Sequence, residues 1–382
     1  MKTILVSGTA LALCAGTAFA GGIERTTQSA MVLFETGNHA EISFGFVKPS
    51  VDGKSRPPVS SNIDNVAGDY VLPSFALKMD LSDRLAAALI VDRPFGADVS
   101  YGMGDAMLGG TTAEASTTAI TALMKYSFTP NFSAFGGVRH MTAEGAIHLQ
   151  GAAYGPVSGY DVELDRQGAF GYVAGVAYEK PEIALRVALT YNSSIEYDFD
   201  TTETGPLVDP DGPGPLPSLP LLAGTSETTT KLPESWNLEF QSGIAKDTLL
   251  FGSIRHVKHS QFRVDPVQLD LVTGSGLIDL EDTTTYRLGL GRKFNDKFSG
   301  SVTVAYEPGT GELVSPLAPT DGFTSLSVGG AYKFNDAVTL SGGVSYTWLG
   351  NAKPETGTPD VARADFKDNT VLGVGFKIAY KF

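Results

Sequence analysis

Cysteine is almost missing from this chain. Cys14 is the only one in 382 residues, and it lies in a stretch that reads as temporary. Met1-Lys2 is a short basic start, Ile4 to Ala20 carries no charge, and Ala18-Phe19-Ala20 is an A-x-A cleavage signal. Residues 1–20 are therefore expected to be a secretory signal peptide, with the exported chain starting at Gly21. Leu13 before Cys14 fits a lipoprotein cleavage box poorly. The exported chain then has no thiol, which excludes a disulfide, a thiolate metal site and a cysteine nucleophile. Long apolar runs are missing as well. The longest outside the signal is Leu85–Val91, whereas a spanning helix needs about 20 residues.

Positive charge is in short supply, with 28 Lys and Arg against 42 Asp and Glu and a net charge of −14. Removal of Lys2 makes the balance more acidic, so nucleic acid is not an expected partner. Histidine is scarce too. Of the five, His39 opens a strand, His140 and His148 flank a long loop, and His256 and His259 sit on one strand. Three apart on a strand, those last two point to opposite faces and form no metal pair. No Ser/His/Asp frame is recognisable, so no catalytic residue, metal site or cofactor is expected. Gly102-Met103-Gly104 belongs to a loop, since no strand precedes it and no helix follows as a phosphate cradle requires. Asp209-Pro210-Asp211-Gly212 is weak ground for a Ca²⁺ site.

What is abundant is glycine, with 44 residues, together with 14 Tyr and 21 Phe. These are arranged in alternation, the mark of strands with two unlike faces. In the last segment Leu372, Val374, Phe376, Ile378, Tyr380 and Phe382 alternate with Gly373, Gly375, Lys377, Ala379 and Lys381. The pattern recurs in fourteen segments: roughly 39–47, 70–80, 84–92, 116–128, 131–142, 168–179, 182–199, 234–244, 248–264, 284–294, 297–306, 323–334, 337–349 and 369–382. Six tight turns alternate with seven long connections, at about 48–69, 93–115, 143–167, 200–233, 265–283, 307–322 and 350–368.

An even-stranded transmembrane β-barrel demands that arrangement, with short turns on one side and long loops on the other. The expected fold class is all-β: an antiparallel outer-membrane barrel of about 14 strands, residues 39–382, preceded by a short segment at 21–38. Aromatic residues beside the turns (Tyr126 and Phe128, Phe294 and Phe298, Tyr332 and Phe334) suit an interfacial girdle. The terminal Phe382 resembles the signal read by the bacterial barrel-assembly machinery, an expected partner together with outer-membrane lipid. A soluble sandwich or propeller would instead turn the apolar faces inward, and it offers no reason for the loop alternation.

Several stretches resemble the outer-membrane long-chain fatty acid transporter family, which includes toluene-type hydrocarbon channels. Pro233-Glu234-Ser235-Trp236-Asn237-Leu238 resembles its P-x-S-h-x-L strand opening, and Ser260-Gln261-Phe262 its Ser-x-Phe ending. Tyr286-Arg287-Leu288-Gly289-Leu290-Gly291 is similar to its Y-R-h-x-L-G strand. Pro319-Thr320-Asp321, with Leu326-Ser327-Val328-Gly329 and Tyr332, resembles its P-x-x-D…L-S-x-G…Y block. Pro94-Phe95-Gly96 matches a P-[FY]-G at the third strand. The resemblance implies a fourteen-stranded barrel with an N-terminal hatch inside it. One departure stands out: only Gly21–Thr27 precede Gln28-Ser29-Ala30, which takes the place of the family's N-P-A triplet. The hatch is thus expected to be severely shortened, which puts a fully plugged lumen and hatch-triggered gating in question.

The function this implies is passive transport of hydrophobic solutes, long-chain fatty acids above all, by a monomer without a cofactor. Aromatic or aliphatic hydrocarbons, a general porin and a structural surface barrel are the alternatives. Hatch or gate candidates are Gln28, Ser29, Ala30, Phe34, Pro94 and Gly96, with sideways release near the third strand. Residues 200–233 hold seven of the 21 prolines, interleaved with Leu207, Leu216, Leu219, Leu221 and Leu222. With Ile147, Leu149 and Tyr154 of loop 143–167 these are candidates for hydrophobic capture. Alternation puts Lys78, Lys125, Arg139, Arg186, Arg287, Lys333 and Lys377 on the lumen face, with Glu239 as the one clear mid-strand acid. Arg139 and Arg287, then Arg186 and Lys125, are the candidates for a ligand carboxylate.

Overall fold

The computed structural model describes residues 23–58, 60–207, 219, 221–357 and 360–382. The expected signal peptide and Leu216 lie outside the described residues, as does Asp209-Pro210-Asp211-Gly212. Alternating sequence becomes fourteen antiparallel strands. These are β1 (His39–Ser50), β2 (Tyr70–Asp80), β3 (Leu85–Asp92, resumed at Gly96–Ser100), β4 (Thr112–Ser127), β5 (Phe132–Leu149) and β6 (Tyr160–Lys180). There follow β7 (Leu185–Asn192 and Ile195–Thr204), β8 (Gly224–Leu232 and Ser235–Ala245), β9 (Thr248–Val257), β10 (Thr283–Lys293) and β11 (Phe298–Glu307). The last three are β12 (Phe323–Lys333), β13 (Val338–Leu349) and β14 (Thr370–Lys381). Each pairs with its neighbours, and β14 returns to β1 from His39–Lys381 to Ser50–Thr370. Closure leaves the cylinder no free edge around its circumference.

The faces are reversed relative to a soluble protein. On β14 Leu372, Phe376, Ile378 and Tyr380 are exposed, while Val371, Lys377 and Ala379 are buried. The same holds for Phe44 and Phe46 on β1, Val302 and Val304 on β11, and Leu340 and Val344 on β13. A sandwich would bury these side chains; here they form an outward apolar band, which only lipid solvates well. Tyr126, Phe128, Phe132, Phe294, Phe298, Tyr332 and Phe334 ring the turn end, all exposed. At the loop end Tyr191 lies against Trp236 and Tyr346 against Trp348, with ring centroids 4.8 and 4.9 Å apart. Two turns repeat one sequence, Lys-Phe-Asn-Asp at 293–296 and 333–336. In each the Asn Oδ1 accepts two backbone N–H groups, which closes the hairpin locally.

The structure corrects the loop lengths. β5 and β6 run to 18 and 21 residues, well beyond the roughly 9–11 needed to cross a bilayer. Most of the expected loop 143–167 is therefore strand, with Ile147 and Leu149 in β5, and the loop at 200–233 contracts to 205–223. β9 stops at Val257, so His259 begins a short turn and does not share a strand with His256. Loop 258–282 contains a helix the alternation did not signal, α1 (Val267–Thr273). The buried Glu203 carboxylate accepts Gln268 N and Leu269 N at its start, both at 3.0 Å, and Tyr160 Oη at 2.8 Å. The outside loops pack into a shared apolar cap that includes Val51, Val66, Tyr101, Leu108, Leu149, Leu222 and Phe366.

Candidate functional site

Short as it is, the N-terminal segment lies inside the barrel. Ile23, Glu24, Gln28 and Ala30–Glu35 are buried, and Arg25, Thr26, Thr27 and Ser29 are half-buried. An extended chain advances about 3.3 Å per residue, so a few residues reach both walls. On one side Arg25 N and Thr26 N donate to Pro94 O at 2.7 and 3.2 Å, and Gly96 N donates to Ile23 O at 2.8 Å. On the other, Asn237 Nδ2 donates to Thr27 O at 2.9 Å and Ser29 Oγ to Glu239 Oε1 at 2.7 Å. Gln28 makes the turn between the walls with φ at 53°, a left-handed conformation that costs a non-glycine residue about 1–2 kcal/mol. Below it the turn Met31–Phe34 packs on Ala76, Ala88, Leu123, Phe135, Val173 and Ala188. The segment thus crosses the lumen, with cavities of about 200 and 120 Å³ on its flanks.

A belt of buried charge surrounds the segment. Arg255 on β9 is 2% exposed. Its Nε donates to Glu24 Oε1 at 2.8 Å, and its Nη2 contacts the same oxygen. Nη1 donates to Ser235 Oγ (3.0 Å) and Asn237 Oδ1 (2.6 Å), and Nη2 to Gln28 Oε1 (3.1 Å). Arg139 donates from Nε to Thr121 Oγ1 at 2.9 Å and shares a cavity of about 10 Å³ with Asp92, walled by Gln28, Ser29 and Ala30. Asp92 in turn accepts Thr26 Oγ1 at 2.9 Å. Glu307 is buried and accepts Thr285 Oγ1 at 2.6 Å. Just above the strands His259 is wholly buried near Glu24, Arg255, Asp282 and His256, and burial holds its pKa down to about 4.

Above the belt lies an apolar chamber of about 70 Å³. Ile23, Phe95, Leu164, Phe199, Leu232 and Phe262 are among its walls, and Ile147 reaches it from β5. Beside the belt, the wall itself is broken. Pairing of β2 with β3 ends at Phe75–Val91 and resumes only where Gly68 N donates to Asp98 O at 3.0 Å. A proline stands on each side of the break, Pro73 and Pro94, and neither can donate to a ladder. Arg25 lies across it, stacked 3.4 Å over the Tyr70 ring while its Nε donates to Gly96 O at 3.1 Å. The β6–β7 ladder is interrupted as well, between Asn192–Val173 and Thr201–Leu164. There side chains close the wall: Ile195 lies so near Gly171 that a Cβ would sit 2.7 Å from it.

The gate candidates therefore meet: Gln28, Ser29, Ala30, Phe34, Pro94 and Gly96 all belong to the segment or to the strand it docks on. The carboxylate candidates do not form one site. Lys125 and Arg186 flank the Phe34 ring at 4.4 and 5.0 Å near the turn end, and Arg139 sits behind the hatch. Arg287 lines both flanking cavities. Glu239 is not the sole inward acid, since Glu24, Asp92 and Glu307 join it. Lys333 is exposed and pairs with Asp336 at 2.6 Å. Of the capture candidates, Leu149 and Leu222 are buried in the cap and Tyr154 packs on it, whereas Leu207, Leu219 and Leu221 are exposed. Arg255 and Glu24 escaped sequence reasoning. β9 carries apolar residues on both faces, so alternation there does not tell inside from outside, and nothing local announces that Glu24 has a partner 231 residues away.

The family model for outer membrane protein transport proteins (OMPP1/FadL/TodX) matches residues 1–382. A Pseudomonas aeruginosa FadL homologue has a similar fold, with a TM-score of 0.71 at 15% identity over 98% of this chain and 97% of that one. The toluene transporters TodX of P. putida and TbuX of Ralstonia pickettii give TM-scores of 0.64 and 0.62, each at 12% identity. They cover 91% of this chain, and 91% and 90% of their own. Likeness at such identities is one of fold. No curated protein matches this sequence.

Proposed function

This chain belongs to the outer membrane protein transport family, and from that membership we propose that it carries long-chain fatty acids passively through the outer membrane. Transport of hydrophobic solutes is the family's work; the choice of acid is our reading. One observation carries it: the lumen holds an apolar chamber and, apart from its walls, the buried cations Arg139 and Arg255, so it offers an apolar region for a tail and positive charge for an anionic head. Each methylene withdrawn from water contributes about 0.8 kcal/mol, so movement of an acyl chain along apolar surface toward the membrane interior needs no energy source. The exposed Leu207, Leu219 and Leu221 serve as the first landing surface. Release proceeds sideways through the break between β2 and β3 into the apolar interior of the membrane, where Arg25 is the group to be moved aside.

A second reading, a hydrocarbon channel, has its own support. The chamber walls hold no cation, and their only charged residues are Glu114 and Glu144. Uptake of labelled oleate and labelled toluene by cells lacking their own channel, with and without this barrel, separates the two. Saturable oleate uptake is the expected result; toluene uptake without oleate uptake would transfer the assignment to hydrocarbons.

A further inference from the structure

We propose that Arg255 is the carboxylate-binding site of this channel and that Glu24 occupies it as a built-in competitor. An acid can then displace the N-terminal segment and a neutral hydrocarbon cannot. The inference rests on the reading of the chain as a carrier of hydrophobic solutes, and it assigns the substrate class from a contact inside the protein.

The two residues at the head of the segment have the chemistry of an acyl ligand. Ile23 lines the apolar chamber, and the next side chain, Glu24, puts its carboxylate on Arg255. A fatty acid with its tail in the chamber and its head toward the belt would bring a carboxylate to the same level. The remaining guanidinium N–H, Nη1, is committed to Ser235 and Asn237, and Nη2 also serves Gln28. The edge that Glu24 covers, Nε with Nη2, is the bidentate face a carboxylate needs.

Both partners are 2% exposed, and this makes the exchange selective. A buried cation left without its anion is strongly unfavourable, so Glu24 is held unless another carboxylate takes its place. An incoming acid keeps Arg255 paired while it frees Glu24. A hydrocarbon in the chamber offers Arg255 nothing, and the segment stays docked on Pro94 and Gly96. Arg287 lies two residues farther from the loop end on β10 and shares the 120 Å³ flanking cavity with Arg255, and Arg139 lies behind Gln28–Ala30.

The test uses the full barrel in lipid nanodiscs, with labelled oleate and labelled 1-octadecene as probes. Glu24→Gln keeps the shape and removes the charge. It is expected to tighten oleate binding about tenfold, since a neutral competitor replaces a charge-assisted one, and to leave octadecene unchanged. Arg255→Met should lose the preference for oleate while still admitting octadecene. Equal gains for both probes in Glu24→Gln, or none, would overturn the proposal. A wild-type barrel that binds neither probe would remove the transport reading itself, and this proposal with it. Should either variant fail to fold, a Thr27→Cys barrel with Glu24 and Arg255 intact gives a second readout. Oleate should speed labelling of that thiol and octadecene should not; equal response to both, or to neither, refutes the exchange.

Discussion

Phe34 is the apolar anchor of the segment that crosses the lumen, and its truncation should open the barrel. The ring is 8% exposed and meets Phe135 edge-on with centroids 5.6 Å apart, while Lys125 and Arg186 flank it at 4.4 and 5.0 Å. Truncating a buried Phe to Ala costs about 3–5 kcal/mol. The lower end applies here, because Lys125 and Arg186 regain water when the ring is gone. About 3 kcal/mol is roughly a hundredfold in an equilibrium constant, so the undocked population should rise by that factor. The ties at Glu24, Thr26 and Ser29 remain, so openings should be brief and not permanent. Single-channel recording in planar bilayers is the direct assay, with entry of a small hydrophilic dye into cells as the check in vivo. Phe34→Ala should flicker open and admit dye, while Phe34→Leu, which keeps most of the volume, should stay close to wild type. A folded Phe34→Ala barrel as silent as the wild type would refute the idea that packing of Met31–Phe34 holds the segment in place.

Two further outcomes follow from neighbouring features. Gly175 faces Phe135 across β5 and β6, and a Cβ there would lie 2.2 Å from the ring and 2.7 Å from Leu189 O. Gly175→Val should push Phe135 toward Phe34 and cost about 1–3 kcal/mol, read as a lower temperature for the heat-induced mobility shift; an unchanged transition would show that the ring has room elsewhere. His259 is held neutral by burial, with its pKa lowered from 6.5 to about 4. The unfolded loop takes up a proton near 6.5 and the docked loop only near 4, so docking is at full strength above pH 6.5 and weakens as the pH falls toward 4, by about 3 kcal/mol in all. Hydrogen exchange in 258–282 should rise over that window and be flat in His259→Leu. A Leu variant with the same rise would refute the assignment to His259.

Sequence by itself determined the barrel. Strand number, the alternation of turns and loops, and the outward face of β14 are local properties, because a strand in lipid must put apolar side chains out and small or polar ones in at every second residue. The Asn side chains of the repeated Lys-Phe-Asn-Asp turns close their own hairpins, so those turns were legible as well. Strand ends were less so. The outward face of β5–β8 beyond the membrane is polar, as at Glu144, Asp161, Glu163 and Glu227, and such residues read as loop although the ladder continues through them. The site was decided only by tertiary structure. Glu24 meets Arg255, Ser29 meets Glu239 and Thr26 meets Asp92 across 231, 210 and 66 residues of chain, and no periodicity records a pairing of that kind. The break between β2 and β3 is also a tertiary fact: Pro73 and Pro94 permit it, but it is the N-terminal segment, docked on Pro94 and Gly96 from inside, that supplies the hydrogen bonds the missing ladder would have made.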